Sequence, residues 1–596
     1  LLNYEFKINR DNLLKLGAGF HYSLYSNSAL NFYNAPDPRP DYYRFLPSYL
    51  NDGHYDATGT LDPSKVNIGL QDQMTEWWSS RNPDITQINW DALYQANYRN
   101  NENNPTGSAK YMLERRHNNL QESMFSANYI GRFLDEKLKL QAGLHLKQSN
   151  AIHYKTVEDL LGANQWIDID QFAERDLTGG SLPDASSIII LNNIGHDSVA
   201  HVGDRFGYDY NIHAFRAGAW LQNEWNFNHV TFHYTLMADY TQFYRYGHME
   251  NGRAHVLGVV SQGKGRVYRF LDPGVKLGVN WRINGRNIIL ANILAQQRAP
   301  ESYNSYISPR IKDTRIDGLN QENILSYDLS YHFSYPKVRG MVSLYQTHIN
   351  NAVELGGFYN DEYRTFTNVS MSGVDKIYRG VEAAISVKAG QYFTVNLAGA
   401  FSDNRYTDNA KGVMSPENGS FEDIEDVVEL KDLHLATGPQ AAVAAQLSFF
   451  HPKMWFADIS LSYLTKNFLS IAPSRFMTRN MDKYREVKYD QYDNNGEFVR
   501  EKYPALETLG TQERLKGGFL LDCSLGHIIY LKNSQSININ LSVNNLLNTR
   551  MVTGGFQQGR IPVTSDGVLT NNYNKYPNKY YYNQGVNFFL NVGYKF

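Results

Sequence analysis

The stretch GVNFFLNVGYKF (585–596) decides how the rest of the chain is read. Taken by twos, Phe588, Leu590, Val592, Tyr594 and Phe596 fall on one face, and Asn587, Phe589, Asn591, Gly593 and Lys595 fall on the other. Side chains alternate strictly across a pleated strand, so this segment has one apolar face and one mostly polar face. That pattern suits a position between lipid and a wet lumen. In a soluble protein, an edge strand this apolar would invite pairing with other chains, and a closed barrel removes such an edge. The segment therefore points to an outer-membrane β-barrel in which it serves as the C-terminal assembly strand.

Working outward, the same alternation recurs along the chain. Examples are Leu14/Leu16/Ala18/Phe20/Tyr22, Leu138/Leu140/Ala142/Leu144/Leu146 and Val230/Phe232/Tyr234/Leu236. Further on come Leu325/Tyr327/Leu329/Tyr331/Phe333, Phe393/Val395/Leu397/Gly399/Phe401 and Leu521/Cys523/Leu525. Each run reaches the ~9–11 residues that a tilted strand needs to cross a bilayer. The connections alternate in length. Tight turns are expected near Asn9–Asp11, Leu134–Glu136, Asn228–His229, Asn284–Gly285, Tyr335–Pro336, Ala389–Gly390, His451–Pro452 and Lys532–Ser534. Asn284-Gly285 is the strongest of these hairpin signals. Long connections are expected at 26–108, 150–212, 247–265, 299–321, 351–372, 407–434, 467–512 and 548–578. Short periplasmic turns and long extracellular loops are the asymmetry of outer-membrane barrels.

The tally is about seventeen strands. First and last strand then both run toward the tight-turn side, whereas single-chain barrels usually have an even number of strands. The expectation is that 1–596 is the C-terminal part of a larger barrel of about 22 strands, with the first strands and any plug absent from this chain. A leader segment, which exported proteins need, is also expected upstream.

Composition agrees with this reading. Lys+Arg number 57 against 60 Asp+Glu, so no global field favours nucleic acid. Mean hydropathy is −0.50, as expected when only alternate strand residues face lipid. The 43 Tyr, 30 Phe and 8 Trp suit interfacial girdles and ring-binding loops. The single Cys523 alternates with Leu521 and Leu525 and reads as a small lipid-facing or buried residue, not a nucleophile. A propeller would show a blade-length repeat, and none is found.

Several segments resemble TonB-dependent receptors of the Bacteroidota. They are NFYNAPDPRPDYYRFLPSYL (31–50), LSYDLSYHFSYPKVRGMVSLYQTHINNAVE (325–354), VDKIYRGVEAAISVKAGQYFTVNLAGAFSDNRYTDN (374–409), LSVNNLLNTR (541–550) and YYNQGVNFFLNVGYKF (581–596). Their order along the chain makes the match specific. The resemblance implies a 22-stranded barrel in the bacterial outer membrane, filled by a plug and driven by the TonB–ExbB–ExbD complex. It implies import of a small extracellular solute, with outer-membrane lipids as surroundings and no resident cofactor. The ending differs from the starch-utilisation branch, so a lidding surface lipoprotein is a less favoured partner.

Candidate binding residues lie in the longest connection. Arg39, Tyr42, Tyr43 and Arg44 follow a proline-stiffened run, and Trp77, Trp78 and Trp90 come later. Aromatic faces with guanidinium forks suit sugars, flat chelates or peptide carboxylates. Equally, these residues can fold the loop into a lid without touching ligand. His196, Asp197, His201, Asp204, Asp209 and His213 could ligate a metal, but their spacing matches no closed site. Glu422, Asp423, Glu425, Asp426, Glu429 and Asp432 read as a solvated, repulsive loop tip. Asp493, Asn495 and Gly496 stand at calcium-loop spacing, yet Gln491 and Lys502 occupy ligand positions, so Asn494-Asn495-Gly496 reads as a hairpin turn. No phosphate loop, zinc pattern or nucleophile elbow is present, which excludes the common enzyme classes. Solute import leads, with a passive porin or an adhesive, structural subunit of a surface assembly as alternatives. Siderophore, cobalamin, oligosaccharide and peptide all stay open as cargo.

Overall fold

The computed structural model describes residues 1–55, 61–178, 187–360, 365–417, 422–486, 488–492, 498–502, 509–532, 534–563, 569–570, 572–573 and 575–596. Among the described residues one 21-stranded sheet forms, in which seventeen wall strands pair in chain order as an antiparallel meander and four short strands in the long connections, Ser26–Phe32, Gly263–Lys264, Ala410–Pro416 and Ile424–Val428, add to its loop end. The first six are β1 (Leu2–Lys7), β2 (Asn12–Ser23), β3 (Tyr111–Phe133), β4 (Leu138–Asp159), β5 (Arg205–Asn226) and β6 (Val230–Gly247). They are followed by β7 (Tyr268–Asn284), β8 (Asn287–Arg298), β9 (Glu322–Ser334), β10 (Val338–Asn360), β11 (Thr365–Ala389) and β12 (Phe393–Tyr406). The last five are β13 (Ala441–His451), β14 (Trp455–Thr465), β15 (Gly518–Tyr530), β16 (Ser536–Asn544) and β17 (Asn587–Lys595). All eight expected tight turns connect an odd strand to the next even one. The fold is a transmembrane antiparallel β-barrel wall.

Register keeps one lipid-facing set in line across the wall. Leu590 sits opposite Leu541, Leu541 opposite Leu525, Cys523 opposite Ile459, and Leu461 opposite Ala445. Leu144, Leu236, Leu397, Leu525 and Leu590 are all exposed, as are Phe588, Val592, Tyr594 and Phe596. In water so much bare hydrocarbon would drive aggregation, whereas in lipid it has its solvent. Cys523 belongs to this set, as its neighbours predicted.

Among the described residues β1 pairs only with β2, and β17 only with β16. The wall nonetheless curls round on itself. The connection after β2 touches the connection before β17 through Lys579–Asp41 at 2.6 Å and Lys575–Asp52 at 3.2 Å, more than 500 residues apart in sequence.

Two features differ from the expected layout. Residues 150–159, 205–212, 351–360 and 365–372 continue strands, although long connections were expected over 150–212 and 351–372; β10 has 23 residues and β11 has 25. Above the bilayer the outer face no longer needs to be apolar, so the alternation fades while the backbone ladder runs on. The Asn284-Gly285 turn is where it was expected, but neither residue takes a positive φ. Instead the Asn284 Oδ1 accepts from the Arg286 and Asn287 amides at 2.9 and 3.1 Å, closing the turn by side chain.

The buried apolar clusters sit at the loop end. One joins Phe358, Val369, Met371, Met414, Leu430 and Phe476. Another joins Met112, Val157, Trp166 and Phe206. Loop ends must fold in water and need cores; the membrane band is stabilised by its ladder and by lipid.

Candidate functional site

The first long connection is a folded body. After Pro36 and Pro38, Asp37 accepts from the Arg39 amide at 3.0 Å and pairs with its guanidinium at 2.5 Å. Two short 3₁₀ turns follow, Tyr43–Phe45 and Pro47–Asn51. The helix Ile68–Ser79 is capped by Asn67 and held against the second turn by Gln71, which donates to Asn51 Oδ1 at 2.9 Å. The helix Trp90–Asn103 is capped by Asn89 and stitched to the wall by Asn97. That buried amide donates to the Tyr111 and Leu160 carbonyls and accepts from the Lys110 amide.

This scaffold presents a cluster of rings. Tyr43 lies edge-on to Tyr42 at 4.8 Å, to Tyr49 at 5.7 Å and to Tyr576 of the last connection at 5.2 Å. Arg44 Nε donates to the Tyr43 hydroxyl at 3.1 Å. The Arg560 guanidinium stands 4.1 Å from the Tyr576 ring centre, 5.3 Å from Tyr43 and 5.4 Å from Tyr359 at the loop end of β10. Tyr359 in turn approaches Phe172 of the second long connection at 6.4 Å. Three connections and the loop end of β10, separated by more than a hundred residues each, thus meet in one string of rings and guanidinium groups.

Charge completes the arrangement. Burial opposes the charged form of Asp41, but the hydrogen bond and charge of Lys579 outweigh it and hold the carboxyl below its usual range. Burial, reinforced by Tyr43, raises Tyr42 above the ordinary phenol, so the ring stays neutral in physiological conditions. Burial first and the Glu174 carboxylate second push Tyr33 up to about 12, and its hydroxyl donates to that carboxylate at 2.8 Å. Neutral phenol faces beside guanidinium groups can stack on flat rings and pair with anionic substituents.

Of the residues expected to bind, the structure brings Tyr42, Tyr43 and Arg44 together. Arg39 is engaged by Asp37. Trp77 and Trp78 are half-buried on their helix, and Trp90 opens the next helix as an exposed ring. The string gains Arg560, Tyr576, Tyr359 and Phe172, none of which the sequence singled out; the tyrosines at 573, 576 and 580–582 were its faint signal.

Other candidates resolve into local structure. His201 pairs with Asp204 at 3.8 Å, Asp209 with Arg205 at 2.6 Å, and His213 stacks on Tyr244. Among the described residues no group of His, Cys, Asp and Glu is gathered to hold a metal. The acidic run is no bare repulsive tip: Glu429 pairs with Arg485, Glu425 with Lys411 and Asp432 with Arg405. The turn at Asn494-Asn495-Gly496 lies outside the described residues, though Lys488–Tyr492 and Phe498–Lys502 on either side pair antiparallel. Asn545, in the motif before the last connection, is buried with φ 51°. Its amide donates to the Thr549 and Gln584 carbonyls, both at 2.9 Å, which fixes how the chain leaves β16.

No protein-family model matches the chain, and no curated protein matches it. Solved structures do. The unliganded ferric citrate transporter FecA is similar over 99% of this chain and 60% of its own, with a TM-score of 0.51 at 8% identity. The pyoverdine outer membrane receptor FpvA from Pseudomonas aeruginosa PAO1, bound to pyoverdine, is similar over 100% and 60%, with a TM-score of 0.49 at 10% identity. The ferric-catecholate import receptor Fiu from E. coli K12 is similar over 99% and 62%, with a TM-score of 0.48 at 11% identity. All are receptors or transporters by name. At 8% identity the likeness to FecA is one of fold, and the chain spans about three fifths of the length of these structures.

Proposed function

We propose that this chain is the barrel wall and ligand-facing rim of an outer-membrane import receptor, of the TonB-dependent kind found in Bacteroidota. The observation that carries the reading is the ring-and-guanidinium string, in which Arg560, Tyr43, Tyr576 and Phe172 from three connections converge with Tyr359 at the loop end of β10. Convergence of distant loops on rings and cations is what capture of a dilute solute requires, since each contact is individually weak. Neutral phenols beside guanidinium groups favour a flat or ring-bearing solute with an anionic group. Further strands between β17 and β1 would close the wall, a plug would fill it, and coupling to TonB–ExbB–ExbD would supply the energy. Aromatic residues near both ends of the apolar band and the short turns at one end support an orientation with those turns in the periplasm.

The test is uptake by cells carrying the intact protein. Solute accumulation should stop when the proton-motive force is collapsed, and Arg560→Ala should weaken capture without altering insertion. Flux that persists after collapse would instead identify a passive pore. Stable assembly with surface lipoproteins and no flux at all would identify a structural subunit.

A further inference from the structure

The tight-turn end carries a feature that solute capture does not use. Turns four to seven, joining β7 to β14, hold Arg286, Lys337 and Lys453, with Lys388 beside them as the last residue but one of β11; all four are exposed, and no Asp or Glu stands on these turns. None of the four has an ion-pair partner among the described residues. The turns are fastened side by side: Ser334 N donates to the Arg286 carbonyl at 2.9 Å, and Lys388 N to the Lys337 carbonyl at 2.8 Å. Arg286 lies over the Tyr335 ring at 5.4 Å. Turn two provides the contrast, because there Asp135 and Glu136 accompany Lys137, and Arg132 reaches Glu136 at 3.6 Å.

Depth selects the partner. Trp281, Tyr335, Tyr392, Phe393 and Trp455, all exposed, form the aromatic edge of the apolar band beside these turns. Exposed rings of this kind settle at the headgroup level, so Lys337 and Lys453, two residues from Tyr335 and Trp455, Arg286 over the Tyr335 ring, and Lys388 beside the Phe393 level stand within reach of lipid phosphates. Clustered Lys and Arg at that level attract anionic lipid. We infer that turns four to seven form a binding patch for the phosphodiester headgroups of anionic phospholipid in the periplasmic leaflet. The inference rests on the membrane orientation proposed above, not on the identity of the solute.

The test uses the intact protein in phosphatidylcholine nanodiscs with and without phosphatidylglycerol, insertion being confirmed by heat-dependent gel mobility and orientation by protease protection of the loops. Mass spectrometry of the released protein then counts retained lipid. Phosphatidylglycerol should be retained over phosphatidylcholine, and retention should fall about tenfold in the Arg286→Gln, Lys337→Gln, Lys388→Gln, Lys453→Gln variant. Lys137→Gln should leave it unchanged, and a variant exchanging Lys for Arg at the patch should keep it. Equal retention in the neutralised variant overturns the proposal. So does binding of a polyglutamate peptide to the patch without phosphatidylglycerol retention, which would mean an acidic polypeptide partner. Absence of solute uptake by cells carrying the intact protein, with lipid retention intact, would break the import reading alone.

Discussion

The two ends of this wall are built from the same strands and obey different physics. At the tight-turn end, connections of a few residues carry exposed cations and rings and almost no buried side chains. At the loop end the strands outlast the bilayer, fold into buried clusters such as Met112/Val157/Trp166/Phe206, and carry most of the acidic residues. The net charge of −3 is therefore a near-cancellation between a basic rim and an acidic remainder. Lipid relieves one end of the need for a core; water imposes that need on the other. Chemistry accordingly gathers where cores hold loops still enough to converge.

The sharpest way to break this comparison is to remove a core residue at the loop end. Phe206 is 1% exposed and packs edge-on to Trp166 at 6.1 Å, with the Lys155 ammonium 4.2 Å from its ring centre. Phe206→Ala should cost about 3–5 kcal/mol of local stability. Hydrogen exchange should rise over 199–210 and stay unchanged near the Leu134–Glu136 turn. Equal loosening at both ends would mean that the ends are one cooperative unit.

Next in size is a charge placed on either face of the membrane band. Leu397 faces lipid from the middle of β12, and its neighbour Asn396 faces the lumen. Leu397→Arg should destabilise the inserted protein by about 2–4 kcal/mol, whereas Asn396→Arg should be nearly neutral. Urea unfolding from vesicles measures both. A comparable cost at the two positions would contradict the assignment of faces.

How far the sequence revealed this layout follows the same division. In the membrane band each side chain answers to lipid or lumen, so a period of two exposes every strand, and turn residues such as Asn9, Asn284 and Gly390 mark the ends. Beyond the band that constraint lapses. Asn150 to Asp159 and Thr365 to Ser372 have no alternation of lipid and water to display, so their pairing could not be read. The site was legible only where its residues are adjacent, as Tyr42, Tyr43 and Arg44 are. Arg560 stands alone in its segment and gains meaning from a ring more than 500 residues earlier. The three tryptophans drew notice by residue type, yet helix caps and packing place them outside the string.

Asn545 joins the two regimes, because it sits where β16 leaves the membrane band for the last connection. Asn545→Ala would leave the Thr549 and Gln584 carbonyls without their donor and should cost about 1–3 kcal/mol. Because that connection carries Arg560 and Tyr576, solute affinity should fall together with protease resistance at 549–560. A loss of affinity with protease resistance unchanged would show that the motif does not position the loop.

The smallest expected effect belongs to the contact that spans the whole wall, Lys579–Asp41. Its carboxylate side chain is 61% exposed, so solvent screens the pair and Asp41→Asn should change stability by only about 0–1 kcal/mol. The sign with pH follows from the shift: the folded state holds Asp41 below its ordinary carboxylate range, so the contribution is full above that range. It fades as pH falls through the range toward the lower folded value. A fluorophore pair on the first and last connections should report separation on acidification, smaller at high salt and absent in Asp41→Asn. Should the connections stay together without this pair, the edge-on contact of Tyr43 with Tyr576 and the guanidinium of Arg560 would be what holds the loop rim closed, and the string would be structural cement as well as a capture surface.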